Sequence, residues 1–219
     1  MKTSSTAEAL SPQIQAVLAR IEAKRDEVVA LTQDLVRIPT VNPPGDAYEA
    51  CARYIGERLK PRGFAVEYVR ALGAPGDSDA KPRVNVVARW QGSSDGECVH
   101  FNSHIDVVEA GPGWTTEPFG GQVKDGKVYG RGSCDMKGGL SIALSLAATV
   151  TNPVRDVTYV FYEGEEVASQ FNGLQHIVDR EPALLEASLA ILMEPSNAGI
   201  EAGCQGTLRA EIRLTGVRS

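Results

Sequence analysis

CVHFNSHID, residues Cys98–Asp106, reads as a short strand over Cys98–Asn102 that runs without a break into Ser103-His104-Ile105-Asp106. The same arrangement recurs twice downstream. VTYVFY (Val157–Tyr162) is a buried-strand run that leads into Glu163-Gly164-Glu165-Glu166, and LAILM (Leu189–Met193) leads into Glu194-Pro195. Each apolar strand thus delivers a histidine or a carboxylate at its C-terminal end, the place where open α/β sheets bind their ligands. Helical patterns over Gly138–Val150 and Val167–Asp179 alternate with these strands. The alternation predicts an α/β fold, a mixed and mostly parallel sheet flanked by helices.

Upstream, Ser11-Pro12 offers a capping hydroxyl followed by a proline suited to a first helical turn. Ile14, Val17, Leu18 and Ile21 then share a face, which Val28, Leu31 and Leu35 continue until Ile38-Pro39. The loop TVNPPGD (Thr40–Asp46) leads to a second helix over Asp46–Leu59. Strands are expected at Phe64–Val69 and Val84–Trp90, with a hairpin-like turn GSSDG (Gly92–Gly96) before the strand at Cys98. A short strand pair should turn at Asp125-Gly126, and the alternation in Thr207–Leu214 reads as a last strand.

The chain has 219 residues, 42% of them hydrophobic, enough for a substantial core, and a net charge of −6. That balance argues against a nucleic-acid footprint, which needs a basic face. MKTSSTAEALSP at the start lacks the apolar run of a signal peptide, and no stretch approaches the roughly 20 apolar residues of a membrane span. Cys51, Cys98, Cys134 and Cys204 are far apart and form no CxxC pair. They read as reduced thiols of a cytoplasmic protein.

A fourth carboxylate, Asp135, sits in GRGSCDMKGGL just before the apolar helix. One histidine and several carboxylates on one rim suit Zn²⁺, with Co²⁺ or Mn²⁺ as substitutes. In His104-x-Asp106 the carboxylate can fix the imidazole tautomer of a metal ligand. The adjacent Glu165-Glu166 suggests a division of labour, one carboxylate binding metal and its neighbour taking a proton from water. Taken singly, each has an ordinary explanation. Asp135 could cap a helix, Glu165-Glu166 could favour a helix dipole, and Glu194 could mark a surface turn. Their shared position at strand ends and a helix start outweighs these readings. His100, within a strand, and His176, within a helix, read as structural. Cys134 reads as a packed thiol, because no histidine is arranged to activate it.

HIDVVEAGPGWTTEPFGGQVKDGKVYGRGSCDMKGGL resembles the core of the M20 metallopeptidase family, which includes acetylornithine deacetylase, succinyl-diaminopimelate desuccinylase, aminoacylase and the glutamate carboxypeptidases. The resemblance covers roughly residues 26 to 219. It implies a zinc-aminopeptidase-like catalytic domain, two Zn²⁺ sites, and attack of water on the amide of a small N-acylated amino acid. By motif, His104 would bind the first metal, Asp106 would orient it, Asp135 would bridge both metals, and Glu194 would complete the first shell. Glu166 would bind the second metal, and Glu165 would be the general base. Residues 1–25 would be a helical leader, 26–215 the first part of the catalytic domain, and 216–219 the junction to a lid or dimerisation domain. Relatives are often homodimers through that lid. The family's last metal ligand is a late histidine, and no histidine follows His176 here.

Residues up to about Leu140 look most like the acetylornithine-deacetylase branch. DVTYVFYEGEEVASQFNGL and EPSNAGIEAGCQGTL look like actinobacterial succinyl-diaminopimelate desuccinylase. The expected substrate is N-succinyl-diaminopimelate, with N-acetylornithine or a carboxypeptidase or dipeptidase substrate as alternatives. A reading of another class is a non-catalytic truncated or mosaic fragment with an incomplete metal site.

Overall fold

The computed structural model describes residues 10–93, 97–203, 210–213 and 215–216. In chain order the elements are α1 (Pro12–Glu22), α2 (Arg25–Val36), α3 (Tyr48–Leu59), β1 (Ala65–Arg70), β2 (Val84–Trp90), β3 (Cys98–His104), β4 (Gln122–Lys124), β5 (Lys127–Tyr129), α4 (Lys137–Thr149), β6 (Asp156–Tyr162), α5 (Gly173–Arg180) and β7 (Leu189–Leu192). A five-stranded sheet has the order β1-β2-β6-β3-β7, and β4 and β5 form a separate hairpin. β1 pairs antiparallel with β2, and β2 antiparallel with β6. β3 lies parallel between β6 and β7. The sheet is therefore mixed, and its parallel half carries the strand ends of interest.

The sheet separates two cores by the period-2 alternation of its strands. Val86, Ala88, Tyr159 and Phe161 face Leu35, Tyr48, Ile55, Leu59, Leu140 and Leu144 of the helices α2, α3 and α4. Val87, Val160 and Tyr162 face Ile177 of α5 and Leu184 on the other side. Aromatic contacts knit the first core: Phe64 meets Trp90 edge-on at 5.1 Å and Phe101 stacks on Tyr159 at 5.0 Å.

Lys137, at the start of α4, is wholly buried. Its Nζ donates to the carbonyls of Leu35 (3.0 Å) and Ile38 (2.7 Å), satisfying the C-terminal end of α2. Burial draws its pKa down to about 8, against the pull of Cys51 and Asp106. Lys137→Met keeps much of the stem volume but leaves both carbonyls without that donor. A loss of about 1–3 kcal/mol is expected, read as a lower urea midpoint at unchanged slope. An unchanged midpoint would show that the two carbonyls find other partners.

Several expectations are met closely. Ser11 caps α1 with its side chain, accepting from the Ile14 amide at 3.3 Å, and the strand pair turns at Asp125-Gly126. Others need correction. The apolar face expected to run from α1 into α2 is split by a break between the helices, and α1 buries no residue. The helix expected over Val167–Asp179 is a short 3-10 turn, Ser169–Phe171, followed by α5. Asn172 is extended and caps α5, its side chain accepting from Leu174 N (2.9 Å) and Gln175 N (3.2 Å), so the chain upstream cannot continue the helix. The turn at Gly92–Gly96 does not close a hairpin, because β6 is inserted between β2 and β3. Residues 94–96 of that turn, and half of the strand expected over Thr207–Leu214, lie outside the described residues, and the described stretch 210–213 is not in a strand. No helix among the described residues is long and apolar enough to cross a membrane.

Candidate metal centre

Because β3, β6 and β7 are mutually parallel neighbours, their C-terminal ends share one rim. His104 closes β3 in register with Tyr162, which closes β6. Glu165 and Glu166 follow β6, and Glu194 follows β7. Asp135 enters from the turn before α4. Its Oδ1 lies 3.0 Å from His104 Nε2, and Glu194 Oε2 lies 3.8 Å from the same nitrogen. Ligand atoms of His104, Asp135 and Glu166 all fall within 4.8 Å of one another. All four residues read from the sequence as metal ligands therefore converge, and the tightest group joins Glu166, rather than Glu194, to His104 and Asp135. Neither His100 nor His176 belongs to that group. Cys134 is exposed, not packed.

Asp106 has a wider role than its spacing from His104 suggests. His104 Nδ1 lies 3.0 Å from the Asp106 backbone carbonyl and 3.5 Å from its carboxylate. The carboxylate itself accepts from the backbone N–H groups of Glu165 and Glu166, at 3.1 Å each, and from Asn42 Nδ2 at 3.2 Å. One buried residue thus holds the imidazole by its backbone carbonyl and the turn carrying the two glutamates by its carboxylate. Nothing in the sequence near Asp106 announces those amide partners, which lie 59 and 60 residues away. Asn42 was likewise missed, hidden in a proline-rich loop.

The electrostatics are those of a site short of positive charge. Burial alone would lower the pKa of His104, but Asp106, Glu194 and Asp135 outweigh it and raise it to about 9. Asp106 is held below the usual carboxylate range: burial pushes up, while His104 and the amides of Glu166 and Glu165 pull down more strongly. Glu166 is pushed up by burial and then by Asp135, with Glu165 and Asp106 adding and His104 opposing. Glu194 is pushed up by burial and by the same crowd of carboxylates, against His104. A divalent cation would offset that repulsion. In the metal-free chain these carboxylates favour the protonated imidazole; a bound ion would take the place of the Nε2 proton while Nδ1–H donates to the Asp106 carbonyl, the tautomer a metal ligand needs. The oxygen-rich donor set with one imidazole fits a Zn²⁺-type ion. A cavity of about 600 Å³ lined by Trp90, Cys98, Asp156 and Thr158 lies at the opposite ends of β3 and β6 and takes no part in this cluster.

The model of peptidase family M20/M25/M40 matches residues 100–213, more than half of the chain. The chain belongs to this family. Among curated relatives, the succinyl-diaminopimelate desuccinylase of Corynebacterium glutamicum is 37% identical over 194 residues, covering 87% of this chain and 47% of that protein. The one of Methylobacterium radiotolerans is 33% identical over 205 residues, covering 87% and 49%. The M20 chain thus spans about half the length of the curated relatives it matches. Human carnosine dipeptidase 1 shares the fold with a TM-score of 0.67 at 23% identity, over 81% of this chain and 40% of its own. An M20 family metallo-carboxypeptidase from Sulfolobus solfataricus does so with a TM-score of 0.63 at 20% identity, over 76% and 37%.

Proposed function

We propose that this M20 chain carries the N-terminal part of a metallo-amidohydrolase that cleaves the amide of an N-acyl amino acid, N-succinyl-diaminopimelate first among the candidates. The convergence of His104, Asp135 and Glu166 beside Glu165 carries this reading. The substrate preference is supported by the curated relatives named as succinyl-diaminopimelate desuccinylases at 31–37% identity. N-acetylornithine and dipeptides remain the alternatives within the same chemistry.

A bound divalent ion would acidify water and polarise the scissile carbonyl. His104, Asp135, Glu166 and Glu194 would hold it. Glu165 takes the proton from the attacking water and returns it to the leaving amine. Asp106 aligns the imidazole through its backbone carbonyl, and fixes Glu165 and Glu166 through their amides. Asp106→Asn preserves size but replaces one acceptor oxygen with an NH₂ group, facing two N–H donors. Divalent affinity is expected to fall by roughly 10–100-fold, measured by Co²⁺ titration. Wild-type affinity would remove Asp106 from the site.

A second reading is a fragment that binds metal without turnover. The test is metal content together with hydrolysis of N-succinyl-diaminopimelate, N-acetylornithine and a dipeptide, with Zn²⁺ or Co²⁺ added. Stoichiometric metal with weak but selective desuccinylation supports the first reading. Stoichiometric metal without hydrolysis supports the second. Failure to take up a divalent ion overturns both.

A further inference from the structure

The segment that carries Glu165 and Glu166 leaves the sheet at Glu163 and returns at Gly173, where the Gly173 amide donates to the Glu163 carbonyl at 2.7 Å. Arg83, the residue before β2, reaches this neck from the next strand in the sheet. Its side chain is 5% exposed and that of Glu163 is 0% exposed. Arg83 Nε donates to Glu163 Oε2 at 2.7 Å, and Nη2 donates to the same oxygen and to the Phe171 carbonyl. Nη1 donates to the Pro75 carbonyl at 2.7 Å. Asn85, two residues on, accepts from the Glu163 amide at 3.1 Å. Gly164 adopts φ +76°, and a Cβ there would stand 2.3 Å from the Phe171 carbonyl oxygen and 2.5 Å from Arg83 Nη2. The neck is thus closed around a guanidinium whose fork spans the departing strand, the returning chain and the Pro75 turn. Only a planar multi-donor cation can serve three such directions.

We propose that Arg83 is a positioning residue. Acting through Glu163 and the Phe171 carbonyl, it closes the neck of the loop 164–172 and so sets where Glu165 and Glu166 stand relative to His104 and Asp135. Asp106 holds the same two residues from the inside, by their amides; Arg83 holds the loop from its base. The proposal rests on the reading of Glu166 as a metal ligand and Glu165 as the base, and its first readout is independent of metal.

The test compares the wild-type chain with Arg83→Met/Glu163→Leu, which removes both charges together so that neither is left buried alone. Hydrogen exchange is measured first on the metal-free proteins. The amides of residues 164–172 should exchange at least about tenfold faster in the double variant, with the amides of β6 unchanged. Co²⁺ affinity is measured next and should fall by roughly 10–100-fold, with a changed visible spectrum of the bound ion. Arg83→Lys keeps a charge on Glu163 but cannot span all three carbonyl and carboxylate partners. It should show both changes at smaller size, and it replaces the double variant should that one not fold. Native exchange in the loop overturns the proposal, as does faster exchange with native Co²⁺ affinity and spectrum. A wild-type chain that binds no Co²⁺ overturns the proposed function instead, while the exchange comparison still decides whether Arg83 orders the loop.

Discussion

Glu165→Gln is expected to remove amide hydrolysis while leaving metal uptake intact. The substitution is isosteric, and under the proposed role of Glu165 it takes away the ability to accept a proton from water and return it to the departing amine. A positioned base of this kind contributes roughly 10²–10⁴-fold to rate, so turnover should fall by that factor at equal metal occupancy. The local structure gives no reason for collateral damage. Asp106 holds Glu165 by its backbone N–H, not by its carboxylate, and that bond survives the change. His104, Asp135 and Glu166 form their group without the Glu165 side chain. The measurement is kcat on the preferred acyl amino acid alongside metal stoichiometry. Turnover within tenfold of wild type would assign the base to another residue. Loss of the metal together with activity would make Glu165 a ligand.

The strand ends were legible in the sequence for a simple reason. β3 and β6 are continuous apolar runs, and the residue type changes abruptly to His or Glu where each run stops, so chemistry and strand boundary are marked by the same letters. Asp135 was legible through its motif, in a turn fixed by glycines on both sides. Sheet order was not. Val84–Trp90 and Cys98–Asn102 are separated by a short turn that looks like a hairpin, yet β6 comes between them, a pairing decided by contacts some 60 to 80 residues apart in the chain. The same distance hid the partners of Asp106 and the clamp of Arg83 on Glu163, 80 residues away. Local pattern also misread Val167–Asp179, where a helical periodicity yields to Asn172 as a cap. The apolar stripe of α1 was visible, but its use was not: Ile14, Val17, Leu18 and Ile21 are between 48 and 61% exposed.

Asp135→Ala should separate metal binding from folding most cleanly. Its side chain is 53% exposed, and its oxygen faces His104 Nε2 at 3.0 Å. Few packing contacts are lost with it, and removals of this kind usually stay within about 0.5 kcal/mol. Electrostatics pull both ways. Asp135 is among the charges that push up Glu166 and Glu194, so its loss relieves repulsion, but it also favours the protonated His104, and that contact is lost. The two effects oppose each other, so the apo protein should stay close to wild type in stability, unlike Lys137→Met. Metal linkage breaks that parity. A ligand at 100 times its Kd stabilises the folded state by about 2.7 kcal/mol. If Asp135 supplies an oxygen shared by the site, affinity should drop by at least roughly 100-fold, leaving about 0.4 kcal/mol at the same metal concentration. Thermal unfolding with and without Co²⁺ reads this directly, as a shift present in wild type and nearly absent in the variant. A variant that keeps the full metal-dependent shift would mean that Glu166 and Glu194 hold the ion with His104 alone, and that Asp135 approaches the imidazole without serving the metal.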